Sequence, residues 1–176
     1  MRTGRIHDTM ASMAHDRFPT TQAIRVLRGH GVEFTHHPYA YEERGGTEVS
    51  ARELRVDEHA VIKTLIMEDD RKTPLIVLMH GDREVSTRNL ARLLGVRSVA
   101  PCAPAVADRH SGYQVGGTSP FGTRRTMPVY AERSISDLPY LYVNGGRRGY
   151  LVGMRPAELI RVLKPTLADI AAAPTR

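Results

Sequence analysis

The sequence predicts a single α+β domain around a mixed β-sheet, and three observations carry that expectation. Two adjacent aliphatic runs, "AVIKTLIMED" and "TPLIVLMHGD", flank an acidic turn from Glu68 to Asp70 and read as two central strands, a hairpin. Three more short runs, "TMPVYAER", "PYLYVNGG" and "RGYLVGM", read as further strands. Helical segments are intermixed with them without a regular βαβ repeat.

The 176 residues, 41% of them apolar, suffice for one core. Residues 1–18 are polar and lack the apolar stretch of a secretory signal, so they read as an N-terminal arm, with the domain over 19–176. No run approaches a membrane span, and the cytoplasm is the expected location. The single cysteine, Cys102, excludes an internal disulfide framework. The net charge of +6 suits an anionic partner such as nucleic acid or a phosphate ligand, with solubility alone as the plainer reading.

In chain order, "PTTQAIRVLRGHG" predicts a short helix capped by Thr20 or Thr21 and ended by Gly29 or Gly31. "VEFTHHPYAY" is extended, with Pro38 favouring an edge or a strand end. In "GGTEVSARELRV", Ser50 and Glu53 have capping-box spacing. After the hairpin, "STRNLARLLGV" is the clearest helix: Ser86 caps it, Leu90, Leu93 and Leu94 form its inner face, and Gly95 stops it. "SVAPCAPAVADRH" leads to a glycine loop, "VGGTSPFG", and a second, "VNGGRRG", follows; each is read as succeeding an apolar strand end. Pro156 opens a last helix, "PAELIRVLK".

Several chemistries find no support. The eight histidines form no i, i+4 pair around a Glu and there is no paired cysteine, so no metal or other cofactor is expected. Cys102 lies between two prolines in "PCAP"; Arg109 and His110 are the neighbouring cations that could activate it, but nothing in the sequence fixes their geometry, and a small buried hydrophobe is the plainer reading. "GTSPFG" is not a nucleophile elbow, because Pro120 follows the serine. Neither glycine loop has the Rossmann or P-loop spacing.

Lys63 is the most informative residue. Alternation places Val61, Lys63 and Leu65 on one face of a strand and Ile62, Thr64 and Ile66 on the other. A lysine among such neighbours is costly unless it reaches a cleft or pairs with an anion. A gatekeeper on an edge strand is the alternative. The two glycine loops lack acids and bases, but glycine lets a ligand approach the backbone, and exposed N–H groups can then bind an oxyanion or a carbonyl oxygen.

Taken in order, "TQAIRVLRGHGVEFTHHPY", "VIKTL", "RHSGYQVGGTSPFG" and "YVNGGRRG" resemble the YbaK/ProX/EbsC family of editing domains, which hydrolyse mischarged aminoacyl-tRNA. The resemblance runs from about Thr20 to about Ile170. It implies a mixed, barrel-like β-sheet flanked by helices, with the acceptor end of a tRNA in a cleft, and prolyl-tRNA synthetase as a further partner. The family's lysine maps to Lys63, near the terminal adenosine and the scissile ester. Thr64, Tyr39 and the loop residues Gly116, Gly117, Thr118, Ser119 and Pro120 map to the substrate site, with Gly116 and Gly117 offering backbone donors. Asn144, Gly145 and Gly146 complete the site, and Arg124, Arg125, Arg147 and Arg148 flank the loops where a tRNA backbone would pass. Two positions depart from the branch that deacylates Cys-tRNA(Pro), which has Ser before the paired glycines and Asp just after R-G-[LF]. Here these are Asn144 and Leu151, so the resemblance implies Cys-tRNA(Pro) or a related mischarged tRNA as substrate, with an editing enzyme for another amino acid such as Ala or Ser, or a non-catalytic tRNA- or ligand-binding module on the same fold, as the alternatives.

Overall fold

The computed structural model describes residues 17–174, so all of the expected arm except Arg17 and Phe18 lies outside the described residues. Helix α1 (Gln22–Gly29) is capped by Thr21, whose side chain accepts from Ile24 N. It is followed by β1 (Thr35–Pro38) and α2 (Gly46–Leu54). The hairpin forms as expected, with β2 (Val61–Asp69) antiparallel to β3 (Pro74–His80). Helix α3 (Thr87–Leu94) has Ser86 as cap and Gly95 in the left-handed conformation at its end. Next come β4 (Val99–Pro101), α4 (Pro104–Ser111), β5 (Val129–Glu132), β6 (Leu141–Arg147), β7 (Tyr150–Met154), α5 (Pro156–Leu163) and β8 (Thr166–Ala168).

The strands form one mixed sheet in the order β1-β7-β6-β2-β3-β5-β8, with β4 paired to β2. The sheet is open, with β1 and β8 at the two ends of that order. The principal core lies between the helices and the face that carries Ile62, Ile66, Ile76 and Leu78, and takes Ile24, Leu27, Phe121 and Leu159 from outside the sheet. On the opposite face Met67, Leu75, Val77 and Met79 pack with Leu90 and Ile170, while Val61 packs with Ala51 and Leu151. Each face of the hairpin is thus buried, which explains why its sequence is apolar on both alternations.

Four local expectations are revised. Ser50 does not cap α2, which already starts at Gly46; it lies buried inside the helix and donates to Thr47 O at 2.9 Å. Leu93 is 48% exposed, because Leu90 and Ala91 take the inward positions of α3. The first glycine loop follows a helix, α4, and not a strand. The short strands β4 and β8 are additions to the five runs and the edge segment foreseen.

Candidate active site

Strand β2 lies inside the sheet, between β6 and β3, so Lys63 is no edge gatekeeper. Its side chain is 18% exposed. The ammonium donates to Arg83 O and lies 3.2 Å from Glu84 Oε1. A lysine has three donors; two are met by the turn after β3, and the third remains for a ligand.

The edge of β2 that faces β6 has a gap. The parallel pairing with β6 runs only from Val61–Tyr142 to Ile62–Val143, and pairing with β4 begins at Met67. Ile66 O accepts from Cys102 N at 3.0 Å, so the polar groups of Ile66 face this edge. Alternation sends the N–H and C=O of Thr64 the same way. Among the described residues, Thr64 Oγ1 is the buried side-chain oxygen or nitrogen without a partner. Such an atom in a native fold calls for an occupant. The next residues beyond the two-residue pairing are Lys63 on β2 and Asn144 on β6, which share the face of Val61 and Tyr142.

Asn144 joins the two glycine loops. Its Oδ1 accepts from Gly146 N at 2.7 Å and Arg147 N at 3.1 Å, and its Nδ2 donates to Gly116 O at 3.3 Å. The loops touch so closely that a side chain on Gly117 would place its Cβ 2.6 Å from Arg148 N and 2.8 Å from Arg147 C. Gly116 has φ +89°, whereas Gly117 is not in the left-handed region, so its requirement for glycine comes from contact alone. Gly117 N donates to Gln114 O at 2.8 Å and is committed to a turn. Ser119 is fully buried, and its hydroxyl accepts from Phe121 N. Thr118 is partly buried beside it and Pro120 is buried. On the second loop, Gly145 O accepts from the Thr21 hydroxyl, which ties the loop to the start of α1.

Tyr39 N donates to Gly149 O at 2.9 Å, and its half-buried ring packs with Val61 and Leu151. Burial pushes its phenol above the ordinary range. Leu151, at the departing position, is buried and pairs with Asn144 across β6 and β7. The four arginines divide. Arg148 Nε donates to Val115 O at 2.9 Å and its guanidinium lies over the Tyr41 ring at 5.2 Å, so it binds the first loop to the chain after β1. Arg124, Arg125 and Arg147 are exposed.

Cys102 is buried, and burial, aided by Glu68, pushes its thiol up to about 11. That environment is the reverse of what a reactive thiolate needs. A polar cluster absent from the sequence reading lies beneath the Lys63 turn: His80 is buried, stacked on His59 at 3.7 Å, and bonded to Ser134 and to His59 O. Its members, His59, His80 and Ser134, come from three separate segments, so no local pattern marks it.

Residues 42–162 match the model of the aminoacyl-tRNA editing domain, and the chain belongs to that family, that of YbaK. It is 24% identical over 151 residues, 85% of its length and 92% of the relative's, to EbsC of Enterococcus faecalis, a protein named as a proposed Cys-tRNA(Pro)/Cys-tRNA(Cys) deacylase. It is 33% identical over 119 residues to the proline–tRNA ligase of Thermodesulfovibrio yellowstonii, matching 67% of this chain and 20% of that enzyme. A solved structure titled as a proposed trans-editing enzyme for prolyl-tRNA synthetase shares the fold, with a TM-score of 0.75 at 19% identity over 89% of this chain and all of that one. Among the described residues, no helix is long and apolar enough to cross a membrane.

Proposed function

We propose that the protein hydrolyses the ester of a mischarged aminoacyl-tRNA, with the acceptor end seated where β2 and β6 separate. The observation that carries this reading is that Lys63 and Asn144, which links the two glycine loops, are the next residues on one face beyond a two-residue pairing, while the unpartnered Thr64 hydroxyl lies on the other face of the same stretch of β2. An aminoacyl ester is already activated, so its hydrolysis needs less help than that of an amide. Lys63, using its free donor, meets the negative charge that develops on the carbonyl oxygen. Because Gly117 N is committed, the loop's available amides are those of Gly116 and Thr118, which have no acceptor among the described residues. Gly117 serves by letting the two loops meet. Thr64, Tyr39, Ser119, Pro120, Gly145 and Gly146 shape the pocket around the terminal nucleotide and the amino acid.

The favoured substrate is Cys-tRNA(Pro) or a related mischarged tRNA, in line with the printed name of EbsC. A substrate cysteine can attack its own carbonyl: a carbon–sulfur bond forms, the carbon–oxygen bond to the ribose breaks, the thiol proton passes to the departing ribose oxygen, and water then opens the released cyclic thioester to free cysteine. No protein base is required. For Ala or Ser, water must attack instead. Exposed Arg124, Arg125 and Arg147 contribute affinity through tRNA phosphates, and prolyl-tRNA synthetase is the proposed source of the substrate. The test is a deacylation panel on tRNA(Pro) charged with Cys, Ala, Ser and Pro, for the native chain and Lys63→Ala. Cysteine is expected to be released fastest, and Lys63→Ala to abolish release while remaining folded. Binding of every tRNA without hydrolysis of any would mark a non-catalytic module on this fold.

A further inference from the structure

Lys63 is held by a turn, and that turn is held by the end of the chain. Ser86 N donates to Ile170 O and Ala172 N to Glu84 O, both at 2.7 Å, Arg83 Nη2 donates to Ala172 O at 3.3 Å, and Val85 bridges Ala171. This terminal strap is in turn fixed by a buried carboxylate. Glu132, 7% exposed, accepts at Oε2 from Ile170 N at 2.8 Å and Ala171 N at 2.7 Å. Its Oε1 lies 3.2 Å from Ser134 Oγ, which lies 2.8 Å from His80 Nε2. The start of the turn has other anchors, Gly81 N to Val61 O and Arg83 N to His80 O, but Glu84 to Ser86 are tied mainly to the strap.

We propose that Glu132 is a positioning residue for Lys63, acting through the strap Ile170–Ala172 and the turn that supplies Arg83 O and Glu84 to the ammonium. This rests on the reading of Lys63 as the substrate-facing amine, but the placement of the amine can be measured apart from the reaction. The hydrogen-bond inventory makes a specific demand on the variants. His80 Nδ1 donates to His59 O, and the one hydrogen of Ser134 Oγ is shared between two acceptors within reach, Glu132 Oε1 and His80 Nε2. A glutamine at 132 keeps both links: its oxygen accepts from the strap, and its amide donates to Ser134 Oγ, whose hydrogen then goes to His80 Nε2. An alanine satisfies neither side.

The experiment compares Glu132→Ala, Glu132→Gln and a chain ended at Ala171, which removes the bonds made by Ala172 and adds a terminal carboxylate there. Lysine is labelled at 13Cε; the protein has three lysines, Lys63, Lys72 and Lys164, hence three resolvable signals. The expected result is a moved Lys63 signal in Glu132→Ala and in the shortened chain, with Lys72 and Lys164 unmoved and Glu132→Gln close to native. A misplacement near 1 Å costs on the order of 100-fold in rate, so kcat in Glu132→Ala should fall about 10- to 100-fold with KM little changed, and adding Lys63→Ala should produce no loss beyond that of Lys63→Ala alone. An unmoved Lys63 signal in both the shortened chain and a folded Glu132→Ala overturns the proposal. A moved signal together with an active Lys63→Ala leaves the positioning intact and removes instead the catalytic role of Lys63.

Discussion

The amide of Asn144 on β6 holds the carbonyl of Gly116 at 3.3 Å, while its own oxygen collects the N–H groups of Gly146 and Arg147. One side chain therefore sets both the shape of the second glycine loop and its distance from the first. These two roles can be separated by substitution.

Asn144→Ser keeps a short acceptor for the loop amides but cannot donate to Gly116, whereas Asn144→Ala removes all three bonds. A typical net hydrogen bond is worth about 0.5–1.5 kcal/mol. Urea unfolding should therefore show a loss of about 1.5–4.5 kcal/mol for Asn144→Ala if the three bonds add, and less for Asn144→Ser. Both should slow single-turnover deacylation, because both release the first loop. A native rate in Asn144→Ser would mean that the spacing of the loops is irrelevant to turnover.

Gly117→Ala should be worse tolerated than its backbone angle suggests. The added carbon meets backbone atoms of Arg147 and Arg148, which cannot turn aside as a side chain could. Forced overpacking costs about 1–3 kcal/mol, and the displaced loops should lower turnover more than tRNA affinity. A melting curve with a single-turnover assay checks both. A variant with native stability would show that the loops can separate freely.

Acid should destabilise the fold through His80. Burial, the largest cause, holds its pKa below the ordinary value of 6.5; nearby His59 acts in the same direction, and Asp82 and Glu132 oppose it. The unfolded chain therefore binds a proton more readily, and stability is full above about pH 6.5 and is lost as pH falls through the lower folded value. His37 and His110 are shifted in the same direction, each mainly by burial, and add to the slope. Urea midpoints taken from about pH 7 to about pH 5 should decline, less steeply in His80→Asn. Equal slopes in the two proteins would exclude His80 as a source.

The arginines should behave differently from one another. Arg148→Ala loses a bond to Val115 O and a contact with Tyr41, so it should lower the melting temperature. Arg147→Ala should leave melting alone and flatten the log–log dependence of tRNA affinity on salt by about 0.7–0.9 per lost phosphate contact. An unchanged salt slope would take Arg147 off the RNA path.

Much of the fold was legible because local chemistry and tertiary role agree. The β2–β3 hairpin announces itself by β-branched runs buried on both faces, and α3 by Ser86 and Gly95 at its ends. Ser50 misled because capping-box spacing recurs inside helices, and Leu93 because a helix of eight residues leaves its inner face poorly defined. Strands β4 and β8, three residues each, are too short to carry a period and exist through pairing with distant partners. At the site, Lys63 stood out as a charge in an apolar strand. Its partners Arg83 and Glu84, and the link from Asn144 to Gly116, span about 20 to 28 positions and leave no local pattern.

The two-residue pairing of β2 with β6 joins positions 61 and 142, a separation of 81 (142 − 61). Contacts so distant in the chain must wait for a large loop to close, whereas the β2–β3 hairpin is local and fast. On a ribosome, Lys63 and its supporting turn are synthesised well before Asn144 arrives. The seam beside Lys63 therefore closes only after residues 142–143 have been made, and the strap at Ile170–Ala172 is added later still.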